Sequence, residues 1–569
     1  MEAISTVTGA ELLIRVLLNN QVDTIFGVPG ESFLAHLESM REHQDKLSFF
    51  VNRHEGGAAF MADAYAKVTG KPGVLFVSRF PGAANAAIGV AVANEDSTPM
   101  VMFVGQVDQS VYGRQSFQEI DYGSVFGSIT KRVLEVRVAA RIPELVNAAF
   151  QIATSGEPGP VVVVLPHDVQ LERVPLPAAL PSYKAVSSCP SPTAVGRLIN
   201  LIRKAERPLL IVGGPGWSKV EQERLIAFAS DNFISVATAS RCNDLFPNDH
   251  PNYAGVATVG MNPALAELIS TSDLLIALGC RLDEMTTGRY SLLSSPLPEQ
   301  TLVHIYPRAE ELGSVYQAEL FINAGVGDMI AALHGFSGLY EAANLGQRRQ
   351  LVEATNAAYW SFLEYDGADL RVDLSQVVKT MQLMLPSDAI IANGAGNNAQ
   401  WLDRFYQYRT LKTKLTSRCG SMGYGVPAGI AAKLALPNST VVSWNGDGCF
   451  QMNMNELVVA SKAGLKVIFI IVENGVYGTI RQHQEKTYPC HKFGTDLDNP
   501  DFMKLAAAYG CLGIEVGKTE EFRPAFQRAL EAPGASLITL KVSPDLLSPS
   551  ERLSNLCPLA VELSSAAVT

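Results

Sequence analysis

Asp447 stands between two glycines, directly after the apolar run STVVSWN, and Asn474 follows the next apolar run, KVIFIIVE, 27 positions later. Aspartate offers a hard carboxylate oxygen and asparagine a neutral amide oxygen. Both suit Mg²⁺ or Ca²⁺ better than zinc. Magnesium commonly takes one or two protein side chains and fills its other positions with phosphate oxygens and water. A single acid and a single amide therefore suit a metal that bridges a diphosphate. Gly446 and Gly448 allow the sharp turn and the close approach of backbone to phosphate that such a site needs. The same residues would also serve as two unrelated turns at strand ends.

Short apolar runs alternate with helical patterns along the chain. DTIFGVPG, GVLFVSRFPG and PMVMFVGQV read as buried parallel strands, with helical stretches such as GGAAFMADAYAKVTG between them. The alternation predicts an α/β protein of three doubly wound parallel-sheet domains. The expected blocks are residues 1–175, 190–340 and 370–550. The segment LERVPLPAALPSYKAVSSCPSP reads as the first linker, and a polar helical stretch near 340–370 as a softer second one. The tail after about residue 550 shows no periodicity and reads as loosely attached.

Hydrophobic residues make up 47% of the 569, enough for sizeable cores. The formal net charge of −11 argues against an extended nucleic-acid surface. No apolar run reaches the length of a membrane span. The eight cysteines form no CxxC pair and show no disulfide-like spacing. With no signal or transit pattern at the start, the expectation is a reduced, cytoplasmic chain.

The strand, GDG, helix, strand and NG arrangement resembles the thiamine diphosphate motif. The segment VNRHEGGAAFMADAYAKVTGKPGV resembles the RHE-x-GA segment of the acetolactate synthase family. SFQEIDYGSVFGSITK, AAFQIATSGEPGPVVVVLPHDVQ and TSRCGSMGYGVPAGIAAKLA extend the likeness over most of residues 5–175 and 370–510. The resemblance implies a pyrimidine-binding first domain, a central domain and a diphosphate-binding third domain. It implies that Glu55 hydrogen-bonds the cofactor's aminopyrimidine N1′ and favours its imino tautomer. Pro81, Asn85, Gly446 and Gly448 would line the cofactor, and Met422 would wedge its two rings into a V. Asp447, Asn474 and the backbone oxygen of Val476 would hold Mg²⁺. Gln118 and Lys131 would line the substrate side of the pocket.

In this family the central domain binds FAD in a structural role, and the resemblance places Arg281 of GCRLDEMTTGRY at that cofactor. Several residues depart from the pattern. The arginine of SGRPGP is Glu157 here, and HIDID becomes HIYPR, with Tyr306 and Pro307. Phe80 replaces a glycine in FPGAAN. His483 falls where biosynthetic members carry the tryptophan that shapes the acceptor pocket, so a proton-donating or hydrogen-bonding role is open to it.

The implied activity is a thiamine diphosphate-dependent carboligase. It would decarboxylate a 2-oxo acid, with pyruvate the expected donor, and transfer the two-carbon unit to a second carbonyl compound. Two alternatives stand beside it. One is a decarboxylase or lyase, although simple pyruvate decarboxylases carry an adjacent histidine pair that is absent here. The other is a non-catalytic cofactor-binding subunit, against which the retained Glu55, Met422, Asp447 and Asn474 argue. The family also implies a homodimer or homotetramer whose site draws Glu55 and Asp447 from different chains. A regulatory subunit stays open.

Overall fold

The computed structural model describes residues 5–367 and 369–557. The chain forms two compact units. The first takes the chain up to Val186 together with Ser417–Pro437 and Asn453–Leu465. The second takes Ser187–Thr416, Asn438–Met452 and the chain from Lys466 onward.

In the first unit, β1 (Thr6–Thr8) pairs antiparallel with β8 (Arg173–Pro175). Between them in sequence lie β2 (Thr24–Gly27), β3 (Ser48–Val51), β4 (Gly73–Val77), β5 (Met100–Gln106), β6 (Arg132–Glu135) and β7 (Pro160–Pro166). These six form one parallel sheet in the order β3-β2-β4-β5-β7-β6. Every residue of β5 and β7 is buried. That is why they read as unbroken apolar runs and not as alternating ones: helices cover both faces of a parallel sheet. Each fully buried Val or Leu contributes about 1.5–3 kcal/mol relative to an exposed one.

The second unit holds two such sheets. The first is built from β9 (Pro208–Val212), β10 (Ser235–Ala239), β11 (Tyr253–Ala257), β12 (Leu274–Leu278), β13 (Thr301–Tyr306) and β14 (Leu320–Asn323), in the order β11-β10-β9-β12-β13-β14. The other is built from β15 (Ile390–Asn393), β16 (Lys414–Leu415), β17 (Val441–Gly446), β18 (Val467–Glu473), β19 (Leu512–Val516) and β20 (Ser536–Lys541), in the order β16-β15-β17-β18-β20-β19. Counted within itself, this last sheet repeats the strand order of the first unit's sheet. The central one has the dinucleotide-fold order 3-2-1-4-5-6. Three parallel α/β sheets are therefore present, as the alternation predicts.

Two expectations need correction. The chain after residue 550 is anchored as far as it is described. β21 (Leu546–Ser548) pairs with β22 (Glu551–Arg552), and Arg552 grips Asp369, with one N–H···O contact at 2.8 Å. Residues 558–569 lie outside the described residues. The cysteines are not all unpaired either, because Cys490 and Cys557 form a disulfide with Cα atoms 5.8 Å apart. Sixty-seven positions separate them, and folding alone makes them neighbours. That bond removes the cysteine argument for a reducing compartment. Among the described residues no helix is long and apolar enough to cross a membrane.

Candidate active site

In an open α/β sheet, ligands bind where the strand order reverses, outside the carboxyl ends of the strands. In the last sheet that point lies between β15 and β17. β17 ends at Gly446, and Asp447 opens the turn that follows. β18 runs parallel beside it, with Gly446 opposite Val472, so the two strand ends bring Asp447 to Asn474. Asp447 is 2% exposed. Its Oδ2 accepts from the backbone N of Gly475 at 2.8 Å and of Asn474 at 3.2 Å, and from Asn499 Nδ2 at 2.8 Å. Its Oδ1 accepts from Gly448 N at 2.9 Å. Asn474 Oδ1 accepts from Val476 N at 3.2 Å.

Sequence reasoning missed Asn499. Its side chain is held in turn by Gln451, whose Nε2 donates to Asn499 Oδ1 at 2.9 Å. Outer partners of this kind orient a ligating carboxylate. The only sequence signal was an asparagine in a polar loop.

The residues here fit a diphosphate-bridging Mg²⁺. The donors are hard oxygens from one acid and one amide. A Cβ at Gly446 would meet Asn398 Nδ2 at 2.7 Å, and one at Gly448 the Tyr477 ring at 2.6 Å, so the turn packs too closely for a side chain at either position. Around the same strand ends the buried amide oxygens of Asn393, Asn398 and Asn445 lack hydrogen-bond partners. Buried polar atoms are rarely left so, and a polar ligand in this crevice answers the need.

Glu55 lies in the first unit, at the start of the helix Glu55–Thr69 that follows β3. His54 caps that helix, its Nδ1 accepting from Gly56 N at 3.0 Å. The helix Phe80–Glu95 starts beside it with Pro81 in its first turn, a position that needs no N–H. Asn85 Nδ2 donates to Glu55 Oε2 at 2.9 Å. Glu55 and Asn85, assigned by resemblance, thus meet directly, and Pro81 opens the helix that carries Asn85.

Met422 precedes the helix Gly425–Ala435, in a segment pinned at both ends to the Glu55 helix and its neighbour. Tyr424 donates its hydroxyl to Asp63 Oδ2 at 2.6 Å, and its ring meets Phe60 edge-on. Arg418 N donates to Asp96 Oδ1 at 2.8 Å. Lys67 lies between Asp63, at 2.7 Å, and Asp96. Burial pushes the Asp63 carboxyl above its usual range, although the Lys67 ammonium pulls the other way.

Glu456 was also missed. It lies nine residues past Asp447 in sequence, within the first unit, and is fully buried. Its Oε1 accepts from the backbone N of Arg53 and of His54, each at 3.0 Å, and its Oε2 accepts from Asn52 Nδ2 at 3.0 Å. Burial holds its carboxyl above the usual range, opposed by those donors. An acid in the apolar helical pattern NELVVA was the one available signal.

Three other assigned residues are placed less suggestively. Gln118 adopts φ of 63°, a region that residues other than glycine seldom hold and that marks a constrained loop. Lys131 Nζ donates to the backbone oxygens of Ile152, Ser155 and Glu157 at 2.5–2.7 Å, which ties it to the end of the helix Ile142–Thr154. His483 is exposed on the helix Gly478–Thr487.

The central sheet carries Arg281, the residue that the resemblance assigns to a flavin. Its switch point lies between β9 and β12, and Arg281 follows β12 there. A bound ribose calls for an acceptor at such a strand end. The residue ending β13 is Tyr306, fully buried, and its phenol oxygen accepts from Arg281 Nε at 2.9 Å. Glu157, in place of the arginine, is buried in the first unit and accepts from Ser97 Oγ at 2.7 Å.

Models of the thiamine pyrophosphate enzyme match in three places: the N-terminal TPP binding domain over residues 7–125, the central domain over 195–333, and the C-terminal TPP binding domain over 394–540. A probable acetolactate synthase large subunit of Methanocaldococcus jannaschii is 31% identical, over 97% of this chain and 96% of that one. The acetolactate synthase large subunit of Corynebacterium glutamicum is 32% identical, over 92% and 85%. The mitochondrial acetolactate synthase catalytic subunit of Saccharomyces cerevisiae is 30% identical, over 94% and 80%. The chain belongs to the thiamine pyrophosphate enzymes, in the family of the acetolactate synthases.

Proposed function

We propose that the protein is a carboligase of the acetolactate synthase type, taking pyruvate as donor and an oxo acid or other carbonyl compound as acceptor. The observation that carries this reading is the convergence of Asp447 and Asn474 at the switch point of the last sheet, in a chain that also pairs Glu55 with Asn85. Asp447, Asn474 and the Val476 carbonyl would hold Mg²⁺ and, through it, the diphosphate. Bound there, thiamine diphosphate supplies an electron sink for the decarboxylation of a 2-oxo acid. Asn85 orients the Glu55 carboxylate, which would hold a proton at the aminopyrimidine, and Met422 would support the rings. The active unit is a homodimer, or a pair of dimers, in which Glu55 and Asp447 of one site come from different chains. No flavin enters this proposal: Tyr306 takes the Arg281 Nε donor, and Glu157 stands where the family has an arginine.

The test is to incubate the purified protein with thiamine diphosphate, Mg²⁺ and pyruvate and to identify the products by mass spectrometry. Acetolactate is expected. Acetaldehyde as the main product would make the enzyme a decarboxylase. Unconsumed pyruvate, and no turnover of other 2-oxo acids, would favour a non-catalytic subunit.

A further inference from the structure

Glu55 emerges from a loop of three residues, Asn52 to His54, between β3 and its own helix. That loop has two free backbone N–H groups and one buried amide side chain to satisfy, and one side chain satisfies all three. Glu456 Oε1 takes the N–H groups of Arg53 and His54, and Oε2 takes Asn52 Nδ2. On the far side of Glu55, a Cβ built on Gly57 would lie 2.7 Å from Glu456 Oε1, so the acid also abuts the first turn of the helix. Asn52 Oδ1 in turn accepts from Gly27 N at 3.3 Å, which ties the loop to the end of β2.

We propose that Glu456 is a positioning residue for Glu55: its buried carboxylate fixes the Asn52–His54 loop and the first helical turn, and so sets where the Glu55 carboxylate points. The proposal rests on the reading of Glu55 as the group that meets the cofactor. A buried carboxylate that accepts from these three groups, and from Asn455 Nδ2 at 3.2 Å, is costly to replace, because its removal orphans its donors. Glutamine in its place keeps one carbonyl oxygen for the two backbone donors but turns an NH₂ toward Asn52 Nδ2, donor against donor.

Two measurements test this. The first uses the cofactor-free chain. Amide hydrogen exchange in a peptide covering residues 50–60 should accelerate about tenfold in Glu456→Gln and more in Glu456→Ala, with the sheet strands unchanged. Unchanged protection in that peptide overturns the proposal. The second measures C2–H exchange of bound thiamine diphosphate by NMR. Glu456→Gln should slow it about tenfold, yet add nothing further in a Glu55→Gln background, as expected if it acts through Glu55. An equal slowing in both backgrounds, or none in either, overturns it. If Glu456→Ala does not fold, Asn52→Ala removes a donor while leaving the acid in place and should give the same order of effects. Normal C2–H exchange in Glu55→Gln sinks the reading of Glu55 and this inference with it. Slow exchange in Glu55→Gln beside normal exchange in Glu456→Gln sinks the inference alone.

Discussion

At the residue scale, the two carboxylates of the proposed site have different surroundings. Glu55 is half-buried and oriented by one amide, so it can share a proton with a ligand. Glu55→Gln keeps the shape and loses that capacity. Turnover should fall roughly 10²–10⁴-fold, the range of lost proton-transfer catalysis, with an unchanged circular dichroism spectrum. Near-wild-type C2–H exchange on the bound cofactor would refute the assignment. Asp447 is buried and braced by Gly475, Asn474 and Asn499 as an anchor. Asp447→Ala takes away the only carboxylate of the proposed metal site. Calorimetric titration with thiamine diphosphate should then show no gain in affinity on adding Mg²⁺. A gain equal to wild type would place the metal elsewhere.

At the element scale, the helix Leu34–Glu42 carries a titration that the site does not use. His36 is buried on this helix, its ring 5.6 Å from that of Phe76, and burial lowers its pKa to about 3. In the unfolded chain the same imidazole titrates near 6.5. Above pH ~6.5 both states are neutral there and the residue costs nothing. As the pH falls from there toward 3, the unfolded state binds a proton that the folded state refuses, and stability drops. The slope from this one group approaches about 1.4 kcal/mol per pH unit. His36→Gln should flatten the acid limb of a urea-midpoint profile between pH 6 and 4. An identical limb in the variant would mean that other groups carry it. The hairpin of β21 and β22 is another case at this scale. The sequence around it has no period, yet Arg552–Asp369 and Cys490–Cys557 fasten it to the fold. Long-range pairs of that kind leave no local pattern to read.

At the scale of the whole molecule, Glu55 belongs to the first unit and Asp447 to the second. If one site draws them from two chains, two dead variants can rescue each other. Glu55→Gln and Asp447→Ala chains, mixed under subunit-exchange conditions, should regain about a quarter of wild-type activity, because half the dimers are mixed and each holds one intact site of two. Confirmed exchange without activity would rule out the shared site.

The sequence by itself determined the class of this protein. Doubly covered parallel strands must be apolar throughout, so β5, β7 and β18 could be read directly, and the turns after them carried Asp447 and Asn474 in view. Glu55 and Met422 were legible through resemblance, since their types alone fit an ordinary helix start and a core filler. What only the tertiary structure decided were the partners. Asn85 on Glu55, Asn499 on Asp447 and Glu456 on the Asn52–His54 loop are contacts across 30, 52 and about four hundred positions. The same holds for Lys131, drawn to backbone carbonyls, and for Tyr306, turned onto Arg281 where a flavin contact was expected. A hydrogen bond needs its two atoms near 3 Å apart, and for residues distant in sequence only the packed fold sets that distance.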